Sequence, residues 1–156
     1  MQLLLIRPDA WNLPLLVHVG GAMVLVGTLV VTALTLTMSV RKDAAEERLP
    51  LLLFACRLIL FGVIPSYIVM RGGAQWIVSK EHLDNSNATW IGIGFGTSDG
   101  GALLIVISAI LAAVALRKLR RDAAASPLLT QITAVIAYIL IAAFVVAIWA
   151  MTTKPT

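Results

Sequence analysis

Four long apolar stretches, at about residues 13–40, 49–70, 100–116 and 127–151, fill most of this 156-residue chain, so the solvent it suits is lipid. A helix needs about 20 apolar residues to cross a hydrocarbon core about 30 Å thick, and three of the stretches reach or exceed that length. The third is short. It spans only if the Gly-rich segment before it, Ile91 to Gly96, dips into the outer interface as flexible or re-entrant backbone. The expectation is an all-α fold: a polytopic membrane protein forming one four-helix transmembrane bundle over residues 1–156, with an outer loop at 71–98.

Charge placement predicts which way up the bundle sits. The formal charge is +4, with 60% hydrophobic and only 13% charged residues, too much apolar surface for a soluble domain of this size to hide. Arg41, Lys42, Arg48, Arg117, Lys118, Arg120 and Arg121 gather at the first and third connections. Four acids (Asp43, Glu46, Glu47, Asp122) oppose these seven cations, leaving +3. Elsewhere Arg7, Arg71, Lys80 and Lys154 balance Asp9, Glu81, Asp84 and Asp99, and Arg57 inside a span supplies the remaining unit. Excess Lys and Arg in short loops marks the cytoplasmic side, so both termini and residues 71–98 are expected outside. The basic balance is then topology and not a nucleic-acid footprint. The expected location is the cytoplasmic (inner) membrane of a bacterium, crossed several times.

The amino terminus does not read as a cleavable signal peptide, because Arg7 is the only early cation and the apolar run continues past 20 residues. A single cysteine, Cys56, excludes an intramolecular disulfide and reads as a small buried apolar side chain. Pro14, Pro50 and Pro127 each suit the first turn of a span, where a missing N–H costs nothing, and Ser126 suits a cap before Pro127. Pro65 lies inside the second span beside Gly62 and Ser66. A kink or loosened turn is expected there, freeing the carbonyl near Phe61.

At 100° per residue Gly21, Thr28, Thr32, Thr35 and Ser39 share a narrow stripe of the first span, with Gly21, Ala22 and Leu25 on the face of His18. Small and hydroxyl residues let helices approach closely in lipid, so this stripe is expected to face the bundle interior. Ala143, Ala147 and Ala150 repeat the pattern weakly in the fourth span. Gln131 and Tyr138 there need partners if buried.

Ionisable groups inside spans are costly and mark function by default. Arg57 lies about 10 Å in from Pro50, where it either snorkels to the cytoplasmic interface, pairs with helix-end carbonyls inside the bundle, or binds a ligand. His18 is either a neutral, hydrogen-bonded imidazole or a group handling metal, haem or protons. Asp99 suits the dipole at the outer start of the third helix, a cap, with pairing to His18 as the alternative. Trp76 and Trp90 suit an outer loop floating at headgroup level, and Lys80, Glu81 and His82 run between them. Gly92 to Gly96 lacks the Gly-Lys-Ser/Thr ending of a phosphate loop, Asn87-Ala88-Thr89 is a glycosylation sequon relevant only to a eukaryotic secretory route, and no residue suggests catalysis or a clustered metal site.

The segment LLVHVGGAMVLVGT, Leu15 to Thr28, resembles the opening helix of a group of small bacterial membrane proteins that begin with a His followed closely by glycines. That group includes copper-resistance D-type proteins, the membrane-bound protoporphyrinogen oxidase of many bacteria, and uncharacterised four-span proteins. The resemblance covers one helix of four and rests on His18, Gly20, Gly21 and Gly27. It implies haem b as a cofactor and His18 as its ligand. The oxidase family pairs that His with a Lys inside its third span, whereas residues 100–116 here contain no Lys; the resemblance thus points more to the uncharacterised four-span members than to haem-dependent catalysis.

Three functional classes follow. The first is an accessory or interaction subunit of a larger membrane assembly, with another membrane protein or a second copy as partner within the bilayer. The second is a haem- or metal-binding redox protein using His18, with His82 or a second protomer supplying another ligand. The third is a small transporter, opposed by the lack of an intramembrane carboxylate in these spans.

Overall fold

The structure, a computed structural model, describes residues 12–81 and 89–153. All its regular elements are helical: α1 (Asn12–Val40), α2 (Ala45–Leu58), a π-helical turn (Ile59–Val63), α3 (Ile64–Glu81), α4 (Thr89–Arg121) and α5 (Leu128–Thr153). The turn joins α2 and α3 into one rod, so four rods remain, each long and apolar enough to cross a membrane. Lipid offers backbone groups no hydrogen bonds, which is why each apolar run closes its own as a helix.

Short connections at 41–44 and 122–127 set successive rods antiparallel. α1 packs against both halves of the rod and against α5, and α5 packs against α4. α4 closes the ring on α2 and the π turn but only brushes α3. The bundle is therefore tight at the end of the short connections and sparsely packed between α3 and α4 at the other end.

Each rod turns a small-residue or apolar stripe inward at alternating spacings of three and four. On α4 the buried positions are Ser98, Gly101, Ile105, Ser108, Ala112, Ala115 and Leu119; on α1 they include Gly21, Leu25, Thr32, Leu36 and Ser39. That repeat is the seam of left-handed helix packing. Leu25, Leu29, Val63, Met70, Ile105, Leu140 and Phe144 fill one end, and Leu36, Leu52, Ala55, Ala115, Leu119 and Ala134 the other. Cys56, free and buried, packs with Ile59 and Ala112 between them.

Pro65 acts as its position foretold. It has no N–H for the carbonyl of Phe61, and the turn before it widens, with the Ile64 N–H reaching back five residues to Ile59. The Ser66 hydroxyl donates to the Gly62 carbonyl at 2.7 Å. Gly62 lets α1 lie close to the turn: a Cβ there would stand 3.0 Å from Thr28 Cγ2, tighter than ordinary contact.

Three expectations are corrected. Pro50 is not at a helix start: α2 begins at Ala45, placing Pro50 more than a turn inside it. The Gly-rich segment is neither re-entrant nor a flexible loop; it forms part of a 33-residue α4, so the third span is not short. Residues 71–81 and 89–98, expected in an outer loop, continue α3 and open α4. His82 and most of the Asn87 sequon lie outside the described residues.

Smaller features follow local chemistry. Ser126 Oγ accepts the Leu128 N–H at 3.3 Å at the start of α5. Across the 41–44 connection Lys42 and Glu47 form a 2.7 Å ion pair, which raises the Lys42 pKa through the hydrogen bond first and the charge second. Both partners are exposed, and such pairs contribute little to stability.

Candidate functional site

Polar side chains join α1, α3 and α4 near their open ends, and glycine creates the closest approach there. A Cβ on Gly21 would stand 2.6 Å from the Met70 backbone nitrogen, and one on Gly73 would stand 2.6 Å from the His18 backbone nitrogen. The two contacts are reciprocal, each glycine facing the backbone three residues from the other. α1 and α3 therefore touch backbone to backbone.

That approach places His18 Nδ1 2.9 Å from the Met70 carbonyl oxygen. A carbonyl can only accept, so Nδ1 carries the hydrogen, and in a neutral imidazole Nε2 is left with a free lone pair. His18 is half-buried. Its partner is a backbone carbonyl of α3 and not Asp99.

Asp99 also departs from its expected role. It lies ten residues inside α4 and caps nothing. Its Oδ1 accepts a hydrogen bond from Arg71 Nη2 at 2.9 Å, and the same guanidinium lies 4.8 Å from the centroid of the Phe95 ring. One turn deeper, Tyr67 donates its hydroxyl hydrogen to the Ser98 carbonyl at 3.1 Å, with Ser98 Oγ at 3.3 Å. These contacts bridge α3 to α4 across the sparsely packed seam. The Arg71 side chain is 26% exposed and that of Asp99 66%, so water and salt weaken the pair; it positions helices more than it stabilises them.

Of the α1 stripe, Gly21, Thr32, Thr35 and Ser39 are buried and Thr28 is half-buried. Thr28, Thr32 and Thr35 each donate to a carbonyl one turn back, at 2.7 to 2.8 Å. Their hydroxyls are thus satisfied within α1. Gln131 and Tyr138 are exposed rather than buried, and Tyr138 meets Thr37 Oγ1 at 3.1 Å along the outside of the α1/α5 seam. Trp76 is likewise exposed.

Arg57 does not turn into the bundle. It lies exposed on the outer face of α2, beside buried Cys56, and has no hydrogen-bonding or ionic partner among the described residues. Arg48, read from sequence only as a loop cation, is the buried arginine. It is 7% exposed, its Nη1 donates to the Ala125 carbonyl at 3.1 Å, and its own carbonyl accepts from Ser39 Oγ at 3.3 Å. It thereby ties the first connection to the second. The signal was available: Arg48 begins the stripe that continues through Leu52, Ala55, Ile59 and Val63, all buried.

Among the described residues no three of His, Cys, Asp and Glu gather where they could hold a metal ion. Comparison with protein-family models, with curated proteins and with solved structures finds no match to this chain.

Proposed function

We propose that this integral membrane protein is an accessory or interaction subunit of a larger assembly in a bacterial inner membrane, with both termini outside. The observation that carries the reading is Arg57. A guanidinium exposed on a span, with no partner among the described residues, is costly in lipid and calls for an acidic or carbonyl group of a neighbouring subunit. The cavity at the bundle axis supports this reading over transport, since it has space of only ≈ 10 Å³ for the centre of a water molecule. The +3 carried by the two short connections together with the helix ends that flank them supports the orientation.

The test is the particle mass of tagged protein extracted into native-lipid discs, wild type against Arg57→Ala. Wild type should travel as an oligomer or with a stoichiometric partner, and Arg57→Ala should release a folded monomer. A monomeric wild type, with Arg57 reaching lipid phosphates instead, refutes the proposal.

One observation favours a second reading. The hydrogen bond from Nδ1 of His18 fixes the tautomer in which Nε2 can ligate a metal, the arrangement found behind ligating histidines generally. On this reading His18 would be an axial ligand of haem b, as the resemblance of its helix to the protoporphyrinogen oxidase family implies. Purified wild type should then show a Soret band that His18→Ala abolishes without unfolding the protein. Colourless protein, purified from haem-replete cells, excludes this reading.

A further inference from the structure

The inward stripes of all four rods meet at the bundle axis around a small cavity. Thr32 of α1, Ile59 and Val63 of the π turn, Ser108 of α4 and Thr133 of α5 help line it. The space free for the centre of a water molecule is ≈ 10 Å³. About one water-sized sphere's worth of such space, with two to four polar partners, is what an ordered internal water requires.

Ser108 supplies the reason to expect an occupant. It is 5% exposed, and its Oγ is buried without a hydrogen-bond partner. Thr28, Thr32, Thr35, Thr37, Ser66 and Thr133 each donate to a carbonyl one turn back in their own helix, and Ser108 does not. A hydroxyl buried in an apolar interior with its hydrogen unplaced is unfavourable, and such groups in native proteins generally mark an ordered water.

The neighbouring hydroxyls complete the set. Thr32 Oγ1 and Thr133 Oγ1 each give their only hydrogen to a carbonyl at 2.7 Å, which leaves acceptor lone pairs on both. The cavity is thus lined by one hydroxyl with a hydrogen to give and two that can only accept. No carboxylate lines it, so the complementary ligand is neutral, small, and both donor and acceptor.

We propose that this cavity holds a single buried water that accepts from Ser108 and donates to Thr32 and Thr133, joining α4 to α1 and α5 at the centre of the bundle. In so dry a surrounding a bridging water is nearly as favourable as a direct hydrogen bond. It gives the bundle a polar lock at the level where the π turn interrupts the rod.

The test combines stability with direct observation on the full-length protein in detergent. Ser108→Ala removes the hydroxyl, and Ser108→Cys keeps a side chain of similar size but a poor hydrogen-bonding one. With the water present, both variants should melt a few degrees below wild type. An experimental map that resolves ordered waters should show one within hydrogen-bond distance of Ser108 Oγ. If the cavity is dry, removing an orphaned hydroxyl relieves its burial, so either variant melting at or above wild type overturns the proposal. So does a wild-type map with an empty cavity and Ser108 turned onto a carbonyl of its own helix.

Discussion

Gly21→Ala is the most informative single change, because the obstacle it meets is backbone. The added methyl would lie 2.6 Å from Met70 N and 2.9 Å from Met70 Cα, well inside the 3.4 Å at which ordinary contact begins. No side chain can rotate away, so α1 and α3 must part by several tenths of an ångström. Parting also stretches the 2.9 Å bond from His18 to the Met70 carbonyl and opens the reciprocal contact at Gly73. Overpacking of this kind costs about 1 to 3 kcal/mol. Opposing it, alanine is the better helix former by about 0.5 to 1 kcal/mol. The net expectation is a loss of up to about 2.5 kcal/mol.

Gly20→Ala isolates the propensity term, since a Cβ there meets nothing within 4 Å; it should be neutral or stabilising. Gly73→Ala should match Gly21→Ala, and the double variant should cost less than the two together, because the helices part only once. Thermal or denaturant unfolding in detergent reads all four proteins. If Gly21→Ala and Gly20→Ala behave alike, the backbone contact between α1 and α3 does not exist as described.

Other changes separate buried from exposed polar groups. Arg48→Ala should cost about 1 to 3 kcal/mol, by leaving the Ala125 carbonyl without its donor. It should also make a cysteine placed in the 122–127 connection more reactive, and unchanged reactivity would contradict the tie between the two connections. Asp99→Asn should cost under about 1 kcal/mol, and less at high salt, since its pair with Arg71 is part-exposed; a salt-independent loss above about 2 kcal/mol would show the seam between α3 and α4 to be dry. Alkaline phosphatase fused after Thr156 should be active and green fluorescent protein there dark. The reverse pattern would invert the orientation.

The hydropathy of this chain determines that it forms four membrane rods, because lipid lets a backbone hydrogen-bond only within itself. Pro65 was equally legible, since the defect it makes is local to one turn. What the sequence alone misplaced was context. Gly92 to Gly96 reads as a loop by the rules of water, yet it is helix; of its glycines only Gly94 meets a neighbour, with Met151 Cε 2.8 Å from an added Cβ, and Gly92 and Gly96 face open space. Starting α4 at Thr89 moved Asp99 from a cap to the middle of a helix, where Arg71 of another rod meets it. Arg48 and Arg57 show the same division. Both are cations near the start of one rod, and only its rotation, fixed by packing against α1 and α4, buries the first and leaves the second facing out. Hydrophobicity along a chain is a one-dimensional property and decides what spans; which face turns inward depends on the shapes of several helices at once, and tertiary packing alone decides it.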